Sequence, residues 1–409
     1  MYIARDIERL VGDVLGAMPV VVVTGPRQAG KSTLLQHHPD LRKRTYYSLD
    51  DMAVLSMALR EPDRLLSGDD PVTIDEAQRA PALMLSIKRR VDQDRRPGRF
   101  LLSGSSNFLL LRDLADNLAG RAIYLGLGPM SWRELHRVEG EPVIIQLLKR
   151  NLASEDLAAL AIQVNPSPVD WLAGGFPPVA MKPRPKHSHF WFAGYRQTYL
   201  ERDLRDLSQV ADLGLFDQFV QMMALRSAQV LNLRDIARDC GSNAPTVSRW
   251  LRLLETGFMG QRLPPYFSNR MKRLVKAPKW YMADSGLMGY LVGATLESIT
   301  AGPLRGPLFE TYIFQNLSAI LAAWLPDARL FHYRSHTGHE VDFVIETPGG
   351  LLAIEAKAGA DVDARDVKGL SAIVEAESRC IAGVVVYNGC EIRQLGPRLW
   401  AVPVGVLLR

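Results

Sequence analysis

The apolar run Val20-Val21-Val22-Val23-Thr24 passes directly into Gly25-Pro26-Arg27-Gln28-Ala29-Gly30-Lys31-Ser32, and a helix-forming stretch, Ser32–His37, follows. Few patterns restrict a fold so tightly. A short, continuous β-branched run belongs in a sheet buried on both faces, as parallel sheets are. The two glycines let the backbone turn so that its N–H groups converge, and the helix start that follows favours an anion. The spacing G-x4-G-K-[ST], in this strand-to-helix setting, is a phosphate cradle. Lys31 is expected to reach the β- and γ-phosphates of ATP and Ser32 to ligate Mg²⁺, with the backbone from Gly25 to Thr33 around the phosphates.

About forty residues on, Val72-Thr73-Ile74-Asp75-Glu76 is an apolar strand that ends in two acids. Asp75 is expected to hold the magnesium through water and Glu76 to polarise the attacking water as general base. A third apolar strand, Phe100-Leu101-Leu102, runs into Ser103-Gly104-Ser105-Ser106-Asn107, where Ser105 or Asn107 can sense the γ-phosphate. Arg121, in Leu118-Ala119-Gly120-Arg121, is a candidate arginine finger, a surface salt bridge being its ordinary alternative. Further short runs at Tyr46–Leu49 and Ala122–Leu125 complete an alternation of strands with longer helix-capable stretches. That alternation predicts a parallel sheet wrapped by helices.

At 409 residues the chain is too long for one small core. Four units are expected: an ATPase domain over 1–140, a helical lid or linker over 141–215, a winged helix-turn-helix over 216–300 and an α/β domain over 301–409. Within the second, Gly174-Gly175-Phe176-Pro177-Pro178 and the basic stretch Met181–His189 read as a linker or exposed loop. No apolar run approaches the roughly 18–20 residues that cross a bilayer. Cys240, Cys380 and Cys390 form no CxxC pair, and the start MYIARDIERL has no apolar core, so a reducing, cytoplasmic location is expected. The net charge of +5 permits a nucleic-acid partner without demanding one.

In the third unit Asn232–Cys240 reads as a short helix, Gly241-Ser242-Asn243 as a turn, and Ala244-Pro245-Thr246-Val247-Ser248-Arg249-Trp250-Leu251 as the start of a second helix. Val247, Trp250, Leu251 and Leu254 form its buried stripe, leaving Thr246, Ser248, Arg249 and Arg252 outward for the major groove of DNA. Arg262–Lys279 then holds Arg262, Arg270, Lys272, Arg273, Lys276 and Lys279 and no acid, a basic wing suited to phosphates. A lid that packs on protein is the alternative.

In the fourth unit Gly338–Ile345 and Leu352–Lys357 flank Gly349-Gly350 as a hairpin. Asp342 and Glu355 can converge on one Mg²⁺, with Lys357 beside the attacking water and Glu310 as a further ligand. A solvated charged hairpin, with Glu355 and Lys357 paired, is the alternative.

Taken together, GPRQAGKS (25–32), TIDEAQ (73–78), LLSGSSN (101–107), LAGR (118–121), YLERDL (199–204) and GHEVDF…IEAKAG (338–359) resemble a family of bacterial and archaeal AAA-type ATPases. Its members join an N-terminal ATPase to a winged helix and a C-terminal domain of the PD-(D/E)xK nuclease type. The resemblance implies an α/β fold: a P-loop NTPase parallel sheet, then a helical and winged-helix module, then a restriction-endonuclease-like domain. It implies ATP binding and hydrolysis through Lys31, Ser32, Asp75 and Glu76, and a nuclease-type site at Asp342, Glu355 and Lys357. The proline that often precedes the first nuclease aspartate is Val341 here. The expected function is an ATPase acting on DNA as a homo-oligomer, with a hexamer as one form. A branched-DNA translocase with a silent nuclease fold and a nucleotide-gated protein switch are the alternatives.

Overall fold

The computed structural model describes residues 2–105, 118–149, 160, 164–182, 184–199, 212–267, 273, 276–335 and 338–409. Its first part is a five-stranded, fully parallel sheet in the order β2-β3-β4-β1-β5, formed by Thr45–Ser48 (β2), Val72–Asp75 (β3), Phe100–Gly104 (β4), Val20–Thr24 (β1) and Ala122–Gly126 (β5). The five expected strands are all present. β1 is buried along its whole length. Val20 and Val22 pack with Ile74 and Leu102 on one face, while Val21 and Val23 pack with Leu34 and Leu101 on the other. Alternate residues of one strand therefore serve two cores, which is why Val20–Val23 include no polar residue.

A second sheet has six strands in the order β13-β14-β12-β11-β10-β9. They are Arg329–Arg334 (β9), Glu340–Thr347 (β10), Gly350–Lys357 (β11), Cys380–Tyr387 (β12), Arg393–Gly396 (β13) and Leu399–Pro403 (β14). β10 and β11 are antiparallel, with Phe343 opposite Ile354, so the expected hairpin is there. Its register against β9 slips between Val341 and Val344. The slip lets these two, three positions apart, share one core while Phe343 and Ile345 point into the other.

Between the sheets lie the helices Leu233–Asp239 and Ala244–Thr256 and a small sheet, β6-β8-β7, of Gln229–Val230, Lys279–Met282 and Gly260–Leu263. Asn243 caps the second helix by accepting from the Thr246 N–H at 2.9 Å, with Pro245 in the first turn. Val247, Trp250, Leu251 and Leu254 are its buried face. The expected boundaries at 215 and 300 do not separate cores. One continuous apolar cluster runs from Trp132 to Leu408, taking in both helices, β8, the long helix Arg305–Trp324 and one face of the second sheet.

The expected exposed loop at 174–178 needs correcting. Gly174, Gly175 and Phe176 are buried. The Gly175 N–H donates to Asp284 at 2.7 Å, and its carbonyl accepts from the Met130 N–H at 2.7 Å. A Cβ on Gly175 would lie 2.2 Å from the Met130 carbonyl oxygen, so the glycine marks a close backbone approach instead of a linker. Pro185–Thr198, overlapping the basic stretch, is a helix. No helix among the described residues is long and apolar enough to cross a membrane.

Candidate nucleotide site and the C-terminal carboxylate cluster

The parallel register brings the ends of β1, β4 and β3 to one edge of the sheet. Thr24 is level with Gly104, and Ile74 with Leu102. Gly25, Ser105 and Glu76 therefore leave three adjacent strands, and a strand spacing near 4.8 Å puts the loop about 10 Å from the acids. That is the span of a phosphate chain with its metal. Lys31 is buried and donates to the carbonyls of Gly25 and Pro26, at 2.9 and 2.8 Å, folding the loop around its own ammonium. Gly30 caps the helix Lys31–His37 with φ of 98°. A Cβ on Gly25 would sit 2.0 Å from the Leu127 carbonyl oxygen, so only glycine fits there. Ser32 lies in the first turn beside Lys31.

Asp75 is buried at the end of β3, accepting from the Tyr46 hydroxyl at 2.7 Å and from the Ser103 hydroxyl. Its orientation is thus set by two neighbouring strands. Glu76 turns out of the strand with φ of 57°, a left-handed conformation that costs a non-glycine residue about 1 kcal/mol or more. Its carboxylate accepts from Gln78 at 2.5 Å and from the Ser105 hydroxyl at 3.1 Å. Ser105 and Glu76 consequently form one polar group at the open edge of the sheet. Asn107 lies outside the described residues.

Two contacts had no signal in the sequence. Arg5 donates to the Ala29 carbonyl at 2.7 Å, to Gly128 at 2.9 Å and to Glu134 at 3.0 Å, tying the phosphate loop to the chain that leaves β5. Trp191 donates its indole N–H to the Gln28 side chain at 2.8 Å, with Gln28 itself at φ of 59°. A cleft of about 470 Å³ is lined by Gly25 and Pro26 together with Phe258, Arg262 and Gln315.

The C-terminal residues come together as well, with a partner from outside. Asp342 accepts from the Ala356 N–H at 3.0 Å, and Glu355 lies 3.0 Å from the Lys357 ammonium. Lys279, from β8, places its ammonium 2.8 Å from Asp342 and 3.0 Å from Glu310, and the Tyr281 hydroxyl donates to Glu310 at 2.5 Å. Burial and the Asp342 charge push Glu310 and Glu355 up to about 8. Burial opposes the ionised form of Asp342 too, but Lys279 prevails and holds its carboxyl below the usual range. Where the sequence leads one to expect Mg²⁺ at Asp342, Glu355 and Glu310, Lys279 joins Asp342 to Glu310 and Lys357 pairs with Glu355. Among the described residues no three His, Cys, Asp or Glu side chains are grouped to hold a metal.

With these sites in place, likeness to known proteins becomes informative. Residues 17–136 match the family described as AAA domain, residues 170–298 one described as Domain of unknown function (DUF8612), and residues 305–407 another described as Domain of unknown function (DUF4143). "Uncharacterized protein Rv2008c" of Mycobacterium tuberculosis is 30% identical over 407 residues, spanning 99% of this chain and 84% of its own length. The chain belongs to that protein's family. A Haemophilus influenzae relative is 21% identical over 298 residues, covering 67% of this chain and 69% of its own. Among solved structures, the Walker-type ATPase PABY2304 of Pyrococcus abyssi is 16% identical, covers 70% of this chain and 94% of that one, with a TM-score of 0.40. The RuvB Holliday junction branch migration motor of Thermotoga maritima is 18% identical, covers 64% and 90%, with a TM-score of 0.30.

The AAA domain thus holds the phosphate loop, Asp75, Glu76 and Ser105. It also carries Arg121, but at the opposite end of the sheet. Ala122 is level with Val20, the start of β1, and Arg121 is paired with Asp92 at 2.6 and 2.9 Å. Arg121 therefore cannot reach the phosphates of its own chain. A finger role would require a neighbouring copy.

The expected DNA-binding residues divide. Arg249 and Arg252 are exposed and make no ion pair among the described residues, and Lys276 is likewise exposed; Thr246 and Ser248 are half-buried. Arg270 and Lys272 lie outside the described residues. Arg273 is the clear correction. It is buried, paired with Glu346 at 2.6 and 3.1 Å and stacked on Tyr266 and Phe331. Arg262 is paired with Glu255 at 2.8 and 2.6 Å, and Lys279 is buried as described. Of the described cations of 262–279, Arg262 is paired with nearby Glu255, while Arg273 and Lys279 meet acids remote in sequence.

Proposed function

We propose that the chain binds and hydrolyses Mg-ATP at Gly25–Thr33, Asp75, Glu76 and Ser105. The observation that carries this reading is the alignment of the phosphate loop, the two acids and Ser105 at the ends of three adjacent parallel strands. The residues present fit the metal: a hydroxyl at Ser32 and a buried carboxylate at Asp75 whose orientation Tyr46 and Ser103 secure. Magnesium bound there would neutralise phosphate charge. Lys31 exchanges its two loop carbonyls for phosphate oxygens. Glu76 takes the proton of the attacking water, and Ser105 aims its carboxylate.

The work done with that energy is proposed to be repositioning of a winged helix on DNA. Arg249 and Arg252 support this, as solvent-facing cations of the second helix. A second reading, a nucleotide-gated protein switch, is favoured by the burial of Arg273 and Lys279 within the protein. Cleavage of DNA by the C-terminal cluster has no support in its geometry.

Hydrolysis measured with and without duplex, single-stranded and branched DNA tests both. Stimulation by DNA in the wild type, absent in Arg249→Ala/Arg252→Ala, is expected. A rate indifferent to every DNA would sink the DNA reading, and a rate unchanged in Glu76→Gln would sink the assignment of the base.

A further inference from the structure

We propose that Lys279 is the resident cation of the C-terminal carboxylate cluster, standing where a divalent ion would bind and so keeping the cluster free of metal. Lys279 is 5% exposed, and its ammonium lies between two carboxylates that come from different elements, Asp342 on β10 and Glu310 on the helix Arg305–Trp324. Both distances, 2.8 and 3.0 Å, are those of charge-assisted hydrogen bonds. Magnesium would have to sit about 2.0–2.1 Å from the same oxygens. The two cations therefore compete for one position.

The lone pairs leave little else for a metal. Asp342 spends one oxygen on Lys279 and the other on the Ala356 N–H, and one Glu310 oxygen serves both Lys279 and Tyr281. Lys357 spans Glu355 and Asp366, at 3.0 and 3.5 Å. The second Glu310 oxygen makes no hydrogen bond among the described residues and the remaining Glu355 oxygen is buried without a partner, which leaves two acceptors where an octahedral ion needs several ligands.

Lys279 is also held from its own side. It starts β8, the middle strand of its sheet, level with Val230 of β6 and Leu263 of β7. A backbone paired on both edges fixes where its side chain starts. Charge balance points the same way. Removing Lys279 strands two buried acids, for which a divalent cation is the natural replacement.

Mn²⁺ binding to the nucleotide-free full chain, followed by the electron paramagnetic resonance of free Mn²⁺, tests the proposal. The wild type and Asp342→Asn should give the same isotherm. Lys279→Met should gain a site that Lys279→Met/Asp342→Asn loses again, whereas Lys279→Arg should gain none. A wild-type site that disappears in Asp342→Asn would overturn the proposal, as would a folded Lys279→Met chain that gains nothing. If Lys279→Met does not fold, the comparison of wild type with Asp342→Asn decides alone.

Discussion

Glu76 and Gln28 are both non-glycine residues with positive φ, and both sit at the nucleotide site. Left-handed backbone at such positions persists only where the surroundings enforce it. At Glu76 the enforcement is visible: Gln78 and Ser105 hold the carboxylate at the open edge of the sheet. Glu76→Gln keeps the shape and removes the base, so hydrolysis should fall by about 10²–10⁴-fold while ATP affinity is retained. Single-turnover hydrolysis alongside nucleotide titration separates the two. Lys31→Ala should have the opposite signature, weakening binding itself, because it removes the one buried cation of the loop.

At the scale of elements, two ion pairs staple the start of the chain to the segment after β5. Arg5 pairs with Glu134 and Arg133 with Asp6, at 3.0 and 3.1 Å, and Arg5, Glu134 and Arg133 are all buried. Breaking a buried pair strands its partner, so Arg5→Ala should cost about 3–5 kcal/mol in a denaturant melt. It should also weaken ATP binding, through loss of the Ala29 contact. Asp284 is a second joint. It caps the helix Ser285–Leu291 through the Leu287 N–H and accepts from Gly175. Burial pushes its carboxyl up to about 6. A raised acid is better protonated in the folded state, so the folded chain binds the extra proton between about pH 4 and 6 and loses stability as pH rises through that window. Relative to Asp284→Asn, the wild type should therefore become less stable from pH 4 to 6, by roughly 2–3 kcal/mol at 1.36 kcal/mol per unit. Paired thermal melts across that range check the sign.

Over the whole molecule, one apolar core joins residues 132 to 408, and the phosphate loop touches that body through Gln28 and Trp191. A nucleotide that alters the loop should change the environment of the Trp191 indole. With the other tryptophans replaced by Phe where folding permits, ATP should shift its emission, and Gln28→Ala should abolish that shift. The charges of the wing follow the same logic of internal use. Arg249→Ala should lower the salt dependence of DNA binding by about one phosphate contact. Arg273→Ala should instead lower the melting temperature, because Arg273 is enclosed by Glu346, Tyr266 and Phe331.

The phosphate loop, the five strands of the first sheet, the helix pair with its buried stripe and the β10–β11 hairpin were all legible from residues alone. Each is a local pattern, in which alternation, turn residues and caps act within one or two elements, and local physics determines the outcome. What tertiary structure alone decided depends on partners far apart in the chain. Gly174-Gly175 looks like a linker until Met130 and Asp284 close on it from 45 and 109 residues away. A run of cations looks like a DNA surface until Glu346 and Glu310 neutralise two of them. Arg5 is an ordinary residue of an amphipathic start until Ala29 and Glu134 surround it. Lys279 carries no motif at all; its role exists only because β8 is laid against Asp342, 63 residues on. Burial and long-range charge pairing are properties of the packed chain, and no window of sequence contains both members of such a pair.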